Sequence, residues 1–308
     1  MTSRGEWQGL LGALAVLVAA FSLLTNHFFS WTTLLALANQ APEILLLATG
    51  MTLVVITGGI DLSVGSVLAL SAAVAGVGLA EWQLALPVAA AAALGVGIAC
   101  GWLNGWLSTR WRLPSFIATL AMLEMARGAT YLVSESQTRY LGARLDGIGG
   151  EALAGLRFPV LAAVLVVVAA HLMLTRSVLG RQIFAVGAND EAARLAGIDT
   201  HRVRVIAFAA SGALAGLAAI AQAARLSAAD PNAGIGLELE AIAAVVIGGA
   251  SLSGGRGSVI ASAIGAMVMA VLGAGLAQMG VQEPTRRLTT GAVIVVAATV
   301  DIWRQRRR

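Results

Sequence analysis

The sequence predicts an all-α integral membrane protein with about ten transmembrane helices. Its 308 residues are 58% hydrophobic and only 12% charged, and the mean hydropathy is +0.84, far from the balance of a water-soluble domain. Apolar windows of about 20 residues, the length that crosses a bilayer, can be placed along nearly the whole chain. The basic residues are scattered singly between these windows. We therefore interpret residues 1–308 as a single transmembrane domain.

The ten predicted spans follow one another with short connections. Glycine loops interrupt the second, the third and the eighth span, and the eighth continues into the glycine loop that follows it. The spans lie near 8–24, 40–59, 64–81, 85–108, 115–133, 158–175, 204–224, 238–249, 258–279 and 288–303.

The first glycine interruption, near 56–66, places a carboxylate between two apolar runs. Asp61 would cost about 2.5–3.5 kcal/mol at the centre of a membrane helix, so it requires an interface, a polar cavity or a partner. In one interpretation Asp61 or Ser63 caps the helix that starts near Val64, with its oxygen accepting a backbone N–H. In the other, Asp61 contacts a solute directly. The sequence favours the cap.

The second interruption, near 248–258, reads GGASLSGGRGS and follows a similar run of small apolar residues. Its Leu-Ser-Gly-Gly-Arg is close to the signature loop of ABC ATPases, but the chain has no G-x-x-x-x-G-K-[ST] loop to bind a nucleotide. Interrupted helices at corresponding places in two halves of a membrane protein indicate a transport pathway. The glycines expected to act as hinges in the two interruptions are Gly58, Gly59, Gly65, Gly248, Gly249, Gly254 and Gly255.

The arginines predict the orientation, because short cytoplasmic loops are enriched in basic residues. With the N-terminus inside, thirteen arginines fall inside and six outside, and Arg127 lies within a span. Both termini are then cytoplasmic. The longest outside loop, 134–157, is long enough to receive a partner protein, and the segment 176–204 lies inside.

The inside segment is longer than a bare connector needs to be. Asn189 and Asp190 can start a short helix there, and Gly197 can end it. Glu191 would lie with Asp190 at the positive end of the helix dipole. Such a short helix has little apolar surface of its own, so we expect it to dock on something else.

Small residues predict close helix packing within the bundle. Gly97, Gly101 and Gly105 repeat every four residues, as do Gly212 and Gly216. Stripes of this kind let helices approach closely in lipid.

Two charges lie three positions apart in the fifth span. Glu124 and Arg127 share a helix face and can neutralise each other. We interpret them as an internal ion pair, with a role in a transport pathway as the alternative.

Four stretches carry a family resemblance. They are ITGGIDLSVGSVLALSAA (56–73), GWLNGWLSTRWRLPSFIATLAML (101–123), GRQIFAVGANDEAARLAGI (180–198) and LELEAIAAVVIGGASLSGGRGSVIASAIGA (237–266). They resemble, in order and over nearly the whole chain, the membrane permease of bacterial sugar ABC importers of the ribose, xylose, arabinose and galactose group, which is related to the branched-chain amino-acid permeases. Glu124 departs from the family, which usually carries a small or uncharged residue there.

The resemblance implies a permease that moves a monosaccharide or a similar small polyol across the bacterial inner membrane. Its partners would be a second permease copy or paralogue, an ABC ATPase subunit that holds ATP and Mg, and a periplasmic substrate-binding protein. Loop 134–157 would be periplasmic, and the chain itself would hold no cofactor. The cytoplasmic segment would dock in a groove of the ATPase through residues Gly180, Arg181, Gly187, Asn189, Glu191, Arg194 and Gly197.

The solute path would be lined by backbone polar groups and small polar side chains rather than by a tight pocket, because a firmly held solute would not be released. The candidates are Asp61, Ser63, Asn104, Thr119 and Ser251. Helix caps and hydrogen bonds between helices account for such residues equally well.

Other function classes find less support. The basic residues form no cluster that could bind nucleic acid. We expect membrane lipid to surround the chain. Histidines and the single cysteine are too far apart to suggest a metal site, and no pair of residues has catalytic spacing. The remaining alternative is a secondary transporter driven by an ion gradient, with Asp61, Glu124 and Arg127 as coupling residues.

Overall fold

The structure, a computed structural model, describes residues 4–25 and 27–306 and is dominated by helices. The helices are α1 (Arg4–Leu24), α2 (Trp31–Ile56), α3 (Val64–Ala80), α4 (Leu86–Arg110), α5 (Ser115–Ser134), α6 (Asp146–Gly149), α7 (Phe158–Arg176), α8 (Val178–Ala188), α9 (Asp190–Leu195), α10 (Thr200–Leu226), α11 (Leu237–Ile247), α12 (Val259–Gln278) and α13 (Glu283–Arg306). A 3-10 turn spans Gly142–Leu145, and the strands are β1 (Arg139–Tyr140), β2 (Glu151–Leu153), β3 (Leu156–Arg157) and β4 (Ala228–Ala229). The predicted all-α class is confirmed.

Six of the described helices are long and apolar enough to cross a membrane, namely α2, α4, α5, α7, α10 and α12. The expected count of ten is therefore not confirmed. The glycine interruptions are one reason, because they shorten the helices beside them: α3 has 17 residues and α11 only 11.

Helix α2 is the centre of the bundle. Every residue from 41 to 57 is buried, and α10, α12, α7 and α11 pack around it. It begins at Trp31, nine residues before the predicted start of the second span, because the Ser30 side chain accepts a hydrogen bond from the Thr33 N–H (3.2 Å) and caps the helix there. A helix buried on all sides loses the usual alternation of polar and apolar faces.

The two glycine stripes pack against each other, which the sequence alone did not assign. A side chain added at Gly97 would meet the backbone of Gly212, and one added at Gly101 would meet the backbone of Phe208. Gly216 lies in the same way against Ala93. The close approach predicted from the small residues is thus confirmed, and it joins α4 to α10.

The bundle has two ends that are distinguished by what covers them. At the strand end, β1 pairs antiparallel with β4, and Arg139 forms an ion pair of 2.7 Å with Glu81 at the end of α3. At the opposite end, α8 lies against the end of α2 and the start of α10, and α9 packs against α8 and α10. We call these the strand end and the α8–α9 end.

Candidate functional site

The two glycine interruptions lie in contact at the α8–α9 end. The Gly255 N–H donates to the Ile56 carbonyl oxygen (2.9 Å), and Gly254 packs against the backbone of Gly58. Residues almost 200 positions apart in the chain therefore meet through backbone atoms alone. The sequence echo between the two interruptions corresponds to a physical contact.

Both interruptions end their helices in the same way. Gly58 follows α2 with φ +80°, and Gly249 follows α11 with φ +79°, a left-handed conformation that favours glycine. Each glycine starts a pair of backbone hydrogen bonds that closes the helix, as in the Schellman motif. The pairs are Gly58 N–H to Val55 O with Gly59 N–H to Val54 O, and Gly249 N–H to Val246 O with Ala250 N–H to Val245 O.

The remaining predicted hinge glycines divide into two groups. Gly254 and Gly255 also have positive φ, at +86° and +73°, as expected for a turn. Gly59, Gly65 and Gly248 instead give room to neighbours, which are the Phe208 ring, the Gly234 backbone and the Ser262 backbone, respectively.

Helix α8 enters the same contact through its second-last residue, Gly187. A Cβ atom there would collide with the Ile56 carbonyl oxygen and lie 2.6 Å from the Gly255 nitrogen. The ends of α2 and α8 and the 254–255 turn thus share one point of backbone packing. We call Ile56, Gly58, Gly187, Gly254 and Gly255 the glycine junction.

After Ile56 the chain folds back into the bundle and buries Asp61. Its side chain accepts three hydrogen bonds: Oδ1 from the Ser63 N–H (3.0 Å) and Ser63 Oγ (2.7 Å), and Oδ2 from Ser211 Oγ (3.1 Å). Asn104 Nδ2 in turn donates to Ser63 Oγ (2.9 Å). We call Asp61, Ser63, Asn104 and Ser211 the Asp61 cluster, which joins the turn to α4 and α10.

Helix α5 holds the other side of the same turn. Thr119 Oγ1 accepts from the Leu62 N–H (3.1 Å) and donates to the Ile60 carbonyl (3.2 Å), while Ser115 Oγ accepts from the Ile60 N–H (3.0 Å). Backbone groups that would otherwise be orphaned in the interruption are therefore satisfied by side chains.

Four of the five predicted path residues thus come together around this turn. Asp61, Ser63, Asn104 and Thr119 are all buried, and their geometry supports the interpretation as hydrogen bonds between helices. Ser251, also buried, lies in the second interruption, where its N–H donates to the Arg256 carbonyl (3.1 Å).

The prediction that the side chain of Asp61 or of Ser63 caps α3 is wrong in its detail. Ser63 is the N-cap residue, but its side chain makes no capping hydrogen bond. Asp61 accepts the N–H of Ser63 itself, which fixes the turn before the helix rather than the first helical N–H groups.

The expected ion pair between Glu124 and Arg127 is wrong, because no guanidinium nitrogen of Arg127 lies within 4.0 Å of a carboxylate oxygen of Glu124. Arg127 Nη1 instead donates to the carbonyl oxygens of Pro231 (2.8 Å) and Ala233 (2.9 Å). The carbonyls of the segment before α11 are close enough to compete for the guanidinium, and Glu124 remains exposed. Spacing along one helix could not reveal that competitor.

The short helix predicted within residues 176–204 is confirmed with its caps. Helix α9 starts at Asp190, and Asn189 Oδ1 accepts from the Ala192 N–H (3.0 Å). Gly197 closes it by donating to the Arg194 carbonyl (3.0 Å). Glu191 and Arg194 are exposed on the outer surface of α9.

Helix α8, which the sequence analysis did not predict, carries the first part of that segment. Ser177 caps it by accepting from the Gly180 N–H (3.0 Å). Gly180 is buried against the end of α7, while Arg181 is exposed. The segment is therefore two helices that turn across the bundle end.

Sequence reasoning missed a buried ion pair at the strand end. Glu43 in α2 accepts from Arg225 Nε (2.7 Å) and Nη2 (3.2 Å) and from Gln222 Nε2 (3.0 Å), both on α10. The Glu43 side chain is 8% exposed and that of Arg225 26%. The signal was present, since a carboxylate at the start of an apolar run needs a partner.

We expect Glu43→Gln to destabilise the protein by about 2–3 kcal/mol, because removing one partner leaves the Arg225 charge poorly solvated. The cost stays below that of a fully buried pair because Arg225 retains some access to water. Combining Glu43→Gln with Arg225→Met removes both charges and should recover part of the loss. Thermal unfolding in detergent measures both variants, and equal melting temperatures would contradict the buried pair.

Comparisons with known proteins give a consistent picture. The family described as "Branched-chain amino acid transport system / permease component" matches residues 33–298. The chain is 41% identical to the ribose import permease protein RbsC of Escherichia coli K12 over 305 residues, which covers 97% of this chain and 94% of that protein. It is 37% identical to RbsC of Bacillus subtilis (98% and 93% covered) and 35% identical to the galactofuranose transporter permease protein YtfT of Escherichia coli K12 (96% and 89% covered).

Proposed function

This chain belongs to the family of branched-chain amino acid transport system permease components, and from that premise we propose that it is the membrane permease of a sugar importer driven by ATP hydrolysis on a separate subunit. The relatives named for ribose and galactofuranose import support a sugar as the solute. Relatives named for fructose and L-arabinose support the same solute class. The permease would work in the inner membrane with both termini in the cytoplasm.

The glycine junction is the observation that carries the coupling part of the proposal. Helix α8 touches both interruptions through its last two residues, and α9, which packs against α8, exposes a helical surface at the same end. An ATPase that moved α9 would displace Gly187 against the Ile56 carbonyl. Packed backbone responds to such a push by moving as a unit, because there is no flexible side chain to absorb it.

We propose a partner for each surface of this arrangement. The ABC ATPase subunit, with its ATP and Mg, would bind the α9 surface that carries Glu191 and Arg194. A periplasmic substrate-binding protein would deliver the sugar at the strand end, where loop 134–157 lies. A second permease copy or paralogue would complete the transporter in the membrane.

Reconstitution into vesicles tests the function. The permease, its cognate ATPase and the cognate binding protein should accumulate one of D-ribose, D-fructose, L-arabinose or D-galactose when ATP is present. The permease alone should accumulate none of them under an imposed proton or sodium gradient, because on this proposal the energy comes from ATP hydrolysis on the partner subunit. Uptake by the isolated permease under such a gradient would contradict the importer and favour a secondary transporter.

A variant of α9 serves as the coupling arm of the same experiment. Glu191→Arg combined with Arg194→Glu reverses two exposed charges and leaves the ion pair between Asp190 and Arg204 (3.2 Å) intact. This double variant should lose stimulated ATP hydrolysis together with uptake. Arg110→Glu, an exposed charge reversal at the end of α4, is the matched control and should retain both.

A further inference from the structure

Three polar side chains form a stripe along α5. Glu124, Arg127 and Tyr131 are spaced by three and four residues, which places them one above another on a helix. Glu124 is exposed, and Arg127 and Tyr131 are half-buried. Counting 1.5 Å per residue from Ser115, Glu124 and Arg127 lie about 14 and 18 Å into a helix about 30 Å long, near its middle.

The stripe does not fit a lipid-facing surface. A charged side chain at the centre of a membrane helix is costly in hydrocarbon and almost always faces a polar cavity or a partner. Met125 and Leu132, each one position past a residue of the stripe and so about 100° round the helix from it, are 53% and 82% exposed and have the composition that lipid favours. The exposed surface of α5 therefore carries apolar side chains beside the polar stripe.

A second chain segment lines the stripe. Tyr131 Oη donates to Asn232 Oδ1 (3.0 Å), and Arg127 holds the carbonyls on either side of Asn232. Glu238, in the first turn of α11, is half-buried and accepts a hydrogen bond from the Gly236 N–H (3.3 Å). Both hydrogen bonds that Arg127 makes with the described part of the chain come from Nη1. Nε and Nη2 thus remain as donors.

We propose that Glu124, Arg127, Tyr131, Asn232 and Glu238 line the path of the sugar, an inference that rests on the proposed function. We call these five residues the α5 lining. It replaces the Asp61 cluster in this role, because the Asp61 cluster is buried and both carboxylate oxygens of Asp61 are bonded within the turn and to α10.

The chemistry of the α5 lining suits a neutral polyhydroxylated solute. Carboxylates accept from hydroxyl groups, the guanidinium donates to them, and the phenol and the amide do both. The guanidinium of Arg127 offsets one of the two carboxylates, which leaves a single net negative charge that does not repel an uncharged molecule. Glu124 and Tyr131 are about 10 Å apart along the helix axis, at about 1.5 Å per residue. A solute moving along the lining can exchange one contact for the next, so it leaves as easily as it enters.

Cysteine labelling tests the path without relying on transport. The chain has one native cysteine, Cys100, so a Cys100→Ala background allows single cysteines to be introduced as Glu124→Cys, Tyr131→Cys and, as control, Met125→Cys. A membrane-impermeant cationic methanethiosulfonate should modify positions 124 and 131 at least about tenfold faster than position 125, because the thiolate that reacts forms only where water reaches. Equal rates at the three positions would overturn the proposal, and so would protection of 124 and 131 by burial against a second copy.

Uptake in the reconstituted importer gives the second readout. Tyr131→Phe and Glu124→Gln each remove one hydrogen-bonding function from an accessible side chain, and each should lower uptake by about tenfold, which corresponds to a lost hydrogen bond of about 1.4 kcal/mol. Met125→Ala should leave uptake unchanged. If wild-type protein transports and both variants match it, the α5 lining is wrong while the importer stands. If wild-type protein does not transport but labelling follows the expected pattern, the importer assignment fails and the water-filled path remains.

Discussion

Gly187→Ala should reduce sugar uptake about tenfold or more, although it adds a single methyl group, because that group occupies the position of two backbone atoms in the glycine junction. The Ile56 carbonyl and the Gly255 N–H cannot rotate away as a side chain could, so α8 must shift or the junction must open. Overpacking of this kind costs about 1–3 kcal/mol and here acts on the contact that links α8 to both interruptions. Uptake with ATPase and binding protein measures the effect, with binding of the ATPase measured in parallel.

Gly95→Ala is the matched control for Gly187→Ala. Both residues lie within helices, and an added Cβ at Gly95 meets nothing within 4 Å. The control should retain uptake and gain up to about 1 kcal/mol of stability from helix propensity. Full uptake by Gly187→Ala, with the ATPase bound, would show that the junction is not a rigid contact and would remove the main support for the coupling route.

Asp61→Ala should lower the free energy of unfolding by about 3–5 kcal/mol, because the Ser63 N–H and the hydroxyls of Ser63 and Ser211 lose a buried acceptor at about 1–3 kcal/mol each. The melting temperature in detergent should fall by roughly 10 °C. The turn then loses its tie to α10, so we also expect a loss of uptake.

Ser211→Ala separates the contributions within the Asp61 cluster. It removes one of the three hydrogen bonds and leaves the turn itself bonded, so its cost should be about 1 kcal/mol. A melting temperature of Asp61→Ala equal to that of Ser211→Ala would contradict the cluster as the anchor of the turn.

Local chemistry was predictable from the sequence where one short stretch determines the outcome. Asn189 and Gly197 identified the start and end of α9, because a cap needs only its own helix. The glycine repeats of α4 and α10 were recognisable for the same reason. The interruption at Asp61 was also evident, and residues 101–123 supply three of the side chains that hold it, Asn104, Ser115 and Thr119.

Contacts between distant parts of the chain were not predictable in this way. Glu43 and Arg225 are 182 positions apart, and each looks like an ordinary residue near a span boundary. Glu124 and Arg127 illustrate the opposite error, since correct spacing on one helix suggested a pair, while the carbonyls of Pro231 and Ala233 were closer to the guanidinium. Competition for one donor is decided by tertiary packing rather than by periodicity.

The glycine junction consists of backbone atoms, so its proposed role in coupling is independent of the side chains proposed to contact the solute. A contact between peptide groups carries no information about which sugar passes, and a change of side chain at Gly187 can only obstruct it. The proposed α5 lining, by contrast, consists of side chains, three of them on α5. We therefore expect substitutions in the lining to change solute preference and to leave the proposed coupling through the glycine junction unaltered.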